Sequence, residues 1–193
     1  MVKVTRAPHP KEKEKTRSIT YRLTEHLVQE LETEAMEQNI SQNVLVKQIL
    51  GKYIEWYRFS EKIGMIPVPK TLLQTLGDSL DGQDIDAIIN LIFPIIKDNV
   101  MFMKGGYDLR RCIETLEDYM KASGMKSDHR VEGALHHFII QHDLGKKWSV
   151  FTEQLLAQIF HSFLPDQKLK FQTTDTTVIL TVALGADFSE HEY

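Results

Sequence analysis

The stretch Arg17-Ser18-Ile19-Thr20-Tyr21-Arg22-Leu23-Thr24 decides how the first part of this chain reads. Ile19, Tyr21 and Leu23 alternate with Ser18, Thr20 and Arg22, a period of two that predicts a strand with one apolar and one polar face. Thr24 stands as a helix N-cap, with Leu23 and Val28 placed as a hydrophobic staple. Leu27, Leu31 and Ala35 then recur every four residues among Glu30, Glu32, Glu34 and Glu37, which predicts an amphipathic helix ending near Asn39. Ser41 is a second N-cap. The helix it opens carries Val44, Leu45, Ile49, Leu50, Tyr53, Ile54, Trp56 and Tyr57 around more than one face, so several of its sides need cover.

A strand and two helices over residues 16–59 are too small for a stable monomeric core, and a lone strand leaves its backbone groups unpaired. Pairing with a second copy, strand to strand and helix to helix, answers both problems. Such a ribbon would put Ile19, Tyr21 and Leu23 on the core and turn Ser18, Thr20 and Arg22 outward, in the form that enters a major groove. Other readings stay open: residues 16–59 as part of a larger α+β fold, or as a unit that pairs chains without touching DNA.

On these residues, and on Asn39-Ile40-Ser41-Gln42-Asn43 at the start of the second helix, the segment resembles the ribbon-helix-helix repressors of the Arc, MetJ and CopG type. The resemblance covers about a quarter of the chain. It implies an intertwined β-α-α dimer and a DNA-binding transcriptional regulator of prokaryotic type. It also implies base contacts by Ser18, Thr20 and Arg22 and phosphate contacts at Ser41, Gln42 and Asn43, where helix amides attract an anion. Arg17, Lys11, Lys13 and Lys15 are further phosphate candidates. Where many members of the family carry glycine before the second helix, this chain has Asn39, which also accepts a left-handed backbone.

Before this unit, residues 1–15 hold Lys3, Arg6, Lys11, Lys13 and Lys15 with two prolines and read as a flexible basic arm. After it, Gly64, Pro67 and Pro69 mark a linker. Residues 64–184 read as an α+β domain, of sensory or assembly type, with helices and a small antiparallel sheet. Helices are expected over 70–80, 84–103 (with Pro94 as a kink), 108–123 and 146–164. Strands are expected over 130–142, 168–173 and 176–184, and a tail over 185–193.

The 193 residues carry 23 Lys and Arg against 27 Asp and Glu, a net charge of −4, so any nucleic-acid surface must be local. The single cysteine, Cys112, allows no intrachain disulfide. With no apolar leader and no run apolar enough to span a bilayer, the expectation is a cytoplasmic protein that meets no membrane. Histidine and carboxylate would suit a divalent transition metal, and His136, His142, Asp143 and His161 are the candidates. The last strands lack the histidine pair and cysteine of the nickel-sensing members of the resembled family, so no cofactor is expected, and a small effector on the second domain is left open. Without a phosphate-cradling glycine loop, paired cysteines or a nucleophile elbow, an enzyme is not expected.

Overall fold

A computed structural model describes residues 16–185 and 188. The chain divides into two compact units, residues 1–48 and 49–193, a break that falls inside a helix and not in the 60–69 turn.

In the first unit, α1 (Glu25–Glu37) is capped by Thr24, whose side chain accepts from the Leu27 amide, as its place in the sequence requires. Its C-terminus closes through Asn39, with φ of 53°. The Ile40 amide reaches the Ala35 carbonyl and the Asn39 amide the Met36 carbonyl, both at 3.0 Å, which satisfies two orphan carbonyls in the Schellman arrangement. Ser41 Oγ then accepts from the Val44 amide at 3.3 Å and opens α2 (Gln42–Lys52).

The expected ribbon is absent. Residues 16–24 lie in neither helix nor strand and are exposed throughout, and every strand of the described chain follows residue 125. The β-α-α fold is therefore overturned: the early region is helical. The alternation of Ile19, Tyr21 and Leu23 specifies a face, whereas a strand needs a neighbour for its amides and carbonyls. Among the described residues no segment lies alongside to supply them.

In the second unit a π-helical turn (Tyr53–Tyr57) and α3 (Arg58–Ser60) lead to α4 (Lys70–Ser79), α5 (Gly82–Lys104) and α6 (Leu109–Ala122). Then come β1 (Lys126–Glu132), β2 (Leu135–Gln141), α7 (Lys146–Phe163), β3 (Lys170–Thr173) and β4 (Thr177–Ala183). A capping box between Asp81 and Asp84 starts α5, Pro94 lies within it, and Gly105 ends it in the left-handed region, with φ of 70°.

All strands pair antiparallel in the order β1-β2-β4-β3. One sheet face carries Phe138, Ile140, Val178, Leu180 and Val182, which bury against Leu155, Leu156, Ile159 and Phe160 of α7 and Ile113 and Met120 of α6. From α5, Ile85, Ile89 and Val100 complete that core. The single strand expected over 130–142 is a hairpin, β1 and β2, that turns at Gly133 with φ of 62°.

Helix α4 is fixed to the start of α7. Trp148 Nε1 donates to the Leu73 carbonyl at 3.0 Å, and the indole lies against Gly77. A Cβ on residue 77 would stand 2.6 Å from Trp148 Nε1, so the ring must move. Gly77→Ala should therefore destabilise the second unit by about 1–2 kcal/mol, even though alanine is the better helix former. Denaturant unfolding followed by tryptophan fluorescence checks this; a variant as stable as the parent would show that the indole relocates without loss.

Candidate nucleic-acid interface and buried histidine sites

The residues assigned to base contact, Ser18, Thr20 and Arg22, and the phosphate candidate Arg17 are all exposed on the irregular segment before α1. Ser41 and Asn43 are exposed at the start of α2, and Gln42 is half-buried there. Ser41 spends its hydroxyl oxygen on the Val44 amide. Lys11, Lys13 and Lys15 lie outside the described residues.

Charge is segregated in this unit. Segments 16–24 and 38–48 contain no carboxylate and hold Arg17, Arg22 and Lys47, whereas α1 carries Glu25, Glu30, Glu32, Glu34 and Glu37. Apolar surface is segregated too. Among the described residues of the unit only Ala35 and Leu45 are buried, while Ile19, Tyr21, Leu23, Leu27, Met36 and Val44 stay exposed, Ile19 at 66% and Tyr21 at 60%.

The histidines of the second unit are held in separate places. His142 and Ser149 face each other in the interior, with Ser149 Oγ 3.0 Å from His142 Nε2. The pair resembles a nucleophile and its base, but the proton is on the wrong side. The Leu144 amide donates to His142 Nδ1 at 3.2 Å, so Nδ1 keeps its lone pair and the neutral ring carries its proton on Nε2. His142 therefore donates to the serine and takes no proton from it. No carboxylate orients Nδ1, and Ser149 is fully buried. The pair is a clamp on the loop between β2 and α7. The same loop is tied to α4 by Lys70 Nζ on Asp143 Oδ2 at 3.0 Å and by the Gln74 amide group on the Asp143 carbonyl.

His136 is buried beside His129, and one of the two rings donates across the 2.9 Å between His129 Nε2 and His136 Nδ1. Phe188 meets His136 edge-on at 5.4 Å, and Arg110 holds Phe188 by its carbonyl at 2.8 Å, so residue 188, in the stretch read as a tail, is packed. His161 is exposed on α7. The metal candidates are thus distributed over distinct environments, and among the described residues no group of three or more His, Cys, Asp or Glu is placed to hold a metal ion. Burial pushes the Cys112 thiol up to about 12, so it stays protonated at neutral pH and is no nucleophile.

The sequence reading missed His129, because β1 has no apolar periodicity to mark it. The remaining signal is the turn at Gly133. Among the described residues no helix is long and apolar enough to cross a membrane. Comparison with protein-family models and with curated proteins finds no match to this chain.

Burial holds the pKa of both His142 and His136 below the ordinary 6.5. The unfolded chain then binds more protons than the folded one as the solution is acidified. Stability should be whole above about pH 6.5 and fall below it, by at most about 1.4 kcal/mol per pH unit for each ring. Ser149→Ala, which strands the Nε2 proton of His142, should cost about 1–3 kcal/mol at pH 7.5. Urea unfolding between pH 7.5 and 5 measures both effects; a flat profile would mean that the rings are solvated.

Proposed function

We propose that this protein is a homodimeric, sequence-specific DNA-binding regulator of transcription. Its first unit pairs with a second copy and meets the duplex, and its second unit serves assembly or response to an effector. The observation that carries this reading is the segregation of charge in the first unit. A phosphate backbone repels α1, with its five glutamates, and accepts the carboxylate-free segments 16–24 and 38–48. Arg22 and Thr20 are exposed there, and arginine can donate two hydrogen bonds to one guanine edge. The amides that open α2 suit a phosphate oxygen.

Pairing is supported by the apolar side chains. A unit whose described residues bury only Ala35 and Leu45 has little core of its own, and Ile19, Tyr21, Leu23, Leu27 and Val44 are the surface a second copy would cover. The same surface, taken with the acidic α1, favours a second reading in which the unit joins proteins and leaves DNA alone, as an interaction module or the partner-binding half of an antitoxin.

Selection of bound fragments from the source genome separates the two readings. A DNA-binding regulator enriches a common sequence, and an interaction module enriches none. On the enriched duplex, Arg22→Ala should weaken binding by roughly 5- to 150-fold, the equivalent of about 1–3 kcal/mol, and relax preference at one base position per half-site. Thr20→Ala should do the same more weakly. Removing Lys11, Lys13 and Lys15 should lower affinity on every sequence and reduce the salt slope by about one unit per lost phosphate contact. Anisotropy titrations at several salt concentrations read all three; an Arg22→Ala chain as selective as the parent would give the lead to the interaction module.

A further inference from the structure

Among the described residues strand β1 lies at the edge of the sheet, paired on one side with β2 and with no strand on the other, and all seven of its residues are exposed. A cleft of about 980 Å³ opens on this edge, bounded by Lys126, Asp128 and Arg130 of the strand and by Glu55 and Lys121. Long exposed edges invite pairing, and chains guard them with proline, bulges or charged side chains. This edge has no proline, and its charges are of both signs, so they can repel one partner and match another. Its sequence, Lys126-Ser127-Asp128-His129-Arg130-Val131-Glu132, is antisymmetric in charge about its midpoint.

We infer that β1 pairs antiparallel with β1 of a second copy, about a two-fold axis at His129, to join two sheets into one. In that register Lys126 faces Glu132 of the second copy, Asp128 faces Arg130, Ser127 faces Val131, and His129 faces itself. All four charged residues project on one sheet face, because His129, between them, pairs with Phe138 on the core side. Within one chain Arg130 Nε already lies 2.7 Å from Asp128 Oδ2. Across the axis each aspartate would then have an arginine beside it and another opposite it.

The charges also exclude the neighbouring registers. A slip of two residues one way sets Asp128 against Asp128 and Lys126 against Arg130. A slip the other way sets Arg130 against Arg130 and Asp128 against Glu132. A slip of one residue turns the charged face of one sheet onto the core face of the other. Only the register centred on His129 sets every charge against its opposite.

This contact is independent of the one proposed for the first unit, and a pair of complementary variants tests it. Asp128→Arg alone places arginine opposite Arg130, and Arg130→Asp alone places aspartate opposite Asp128. Each variant of the full chain should therefore self-associate at least about tenfold more weakly than the parent, or drop one oligomeric step, by sedimentation equilibrium. An equimolar mixture of the two sets every charge against its opposite again and should recover the parental association. That recovery also shows that both variants are folded. DNA binding, read through Arg22, is measured separately, so either proposal can fail alone. Parental association by the single variants, or no recovery on mixing, would overturn the inference.

Discussion

The antiparallel pairing of β2 with β4 is the constraint on which the second unit depends. Phe138 stands opposite Leu180 and Ile140 opposite Val178, and these side chains make one apolar face. That face needs a lid. Helix α7, which connects β2 to β3, supplies it with Leu155, Leu156, Ile159 and Phe160, and α6 extends it with Ile113 and Met120. Once β4 is inserted beside β2, the first hairpin can add only on the outside, which leaves β1 as an edge. The exposed strand follows from the way the interior is filled.

Burial on this scale brings polar groups inside. The buried residues Thr115, His136, His142 and Ser149 each have a partner, whereas His137 Nε2 and Gln154 Oε1 are left without a hydrogen bond among the described residues. His142 receives the Leu144 amide on one nitrogen and donates to Ser149 from the other. His136 shares a hydrogen bond with His129, and Thr115 donates to the Arg111 carbonyl. An unpaired buried donor costs about as much as a lost core methyl group or more, so these contacts are sufficiently explained by stability. A serine and a histidine 3.0 Å apart suggest acyl transfer until the direction of the proton is followed. The Leu144 amide settles that direction, and with it the structural role of the pair.

The first unit obeys the opposite rule. Its helices are well capped, by Thr24 and by Ser41, and the turn between them is closed through Asn39. The helix ends are satisfied locally there, while among the described residues of the unit only Ala35 and Leu45 are buried. A helix whose apolar residues lie on several faces gains little from one neighbour. Its continuation finds cover only beyond residue 52, where Trp56 is buried against Tyr119 and Phe59 meets Phe102 edge-on.

Local periodicity determined the helices from α4 to α7, both caps of the first unit and the final hairpin, since these depend on spacing within one segment. It also marked Asn39 as a left-handed position, where φ is 53°. The alternation in residues 16–24 was equally plain, yet no strand forms there, because a strand is a relation between two segments and none of the described residues lies alongside. The hairpin of β1 and β2 was hidden for the converse reason: Lys126 to Glu132 has almost no apolar pattern, and only its pairing with β2 makes it a strand. The histidines divide in the same way. Residue type alone marked His136 and His142 as candidates, but what each ring touches, His129 in one case and Ser149 in the other, depends on residues that only the folded sheet and α7 bring near. Sequence alone determined which segments coil and where they stop, because those free energies are local. The tertiary structure decided which surfaces meet, because that depends on pairing and burial between residues far apart in the chain.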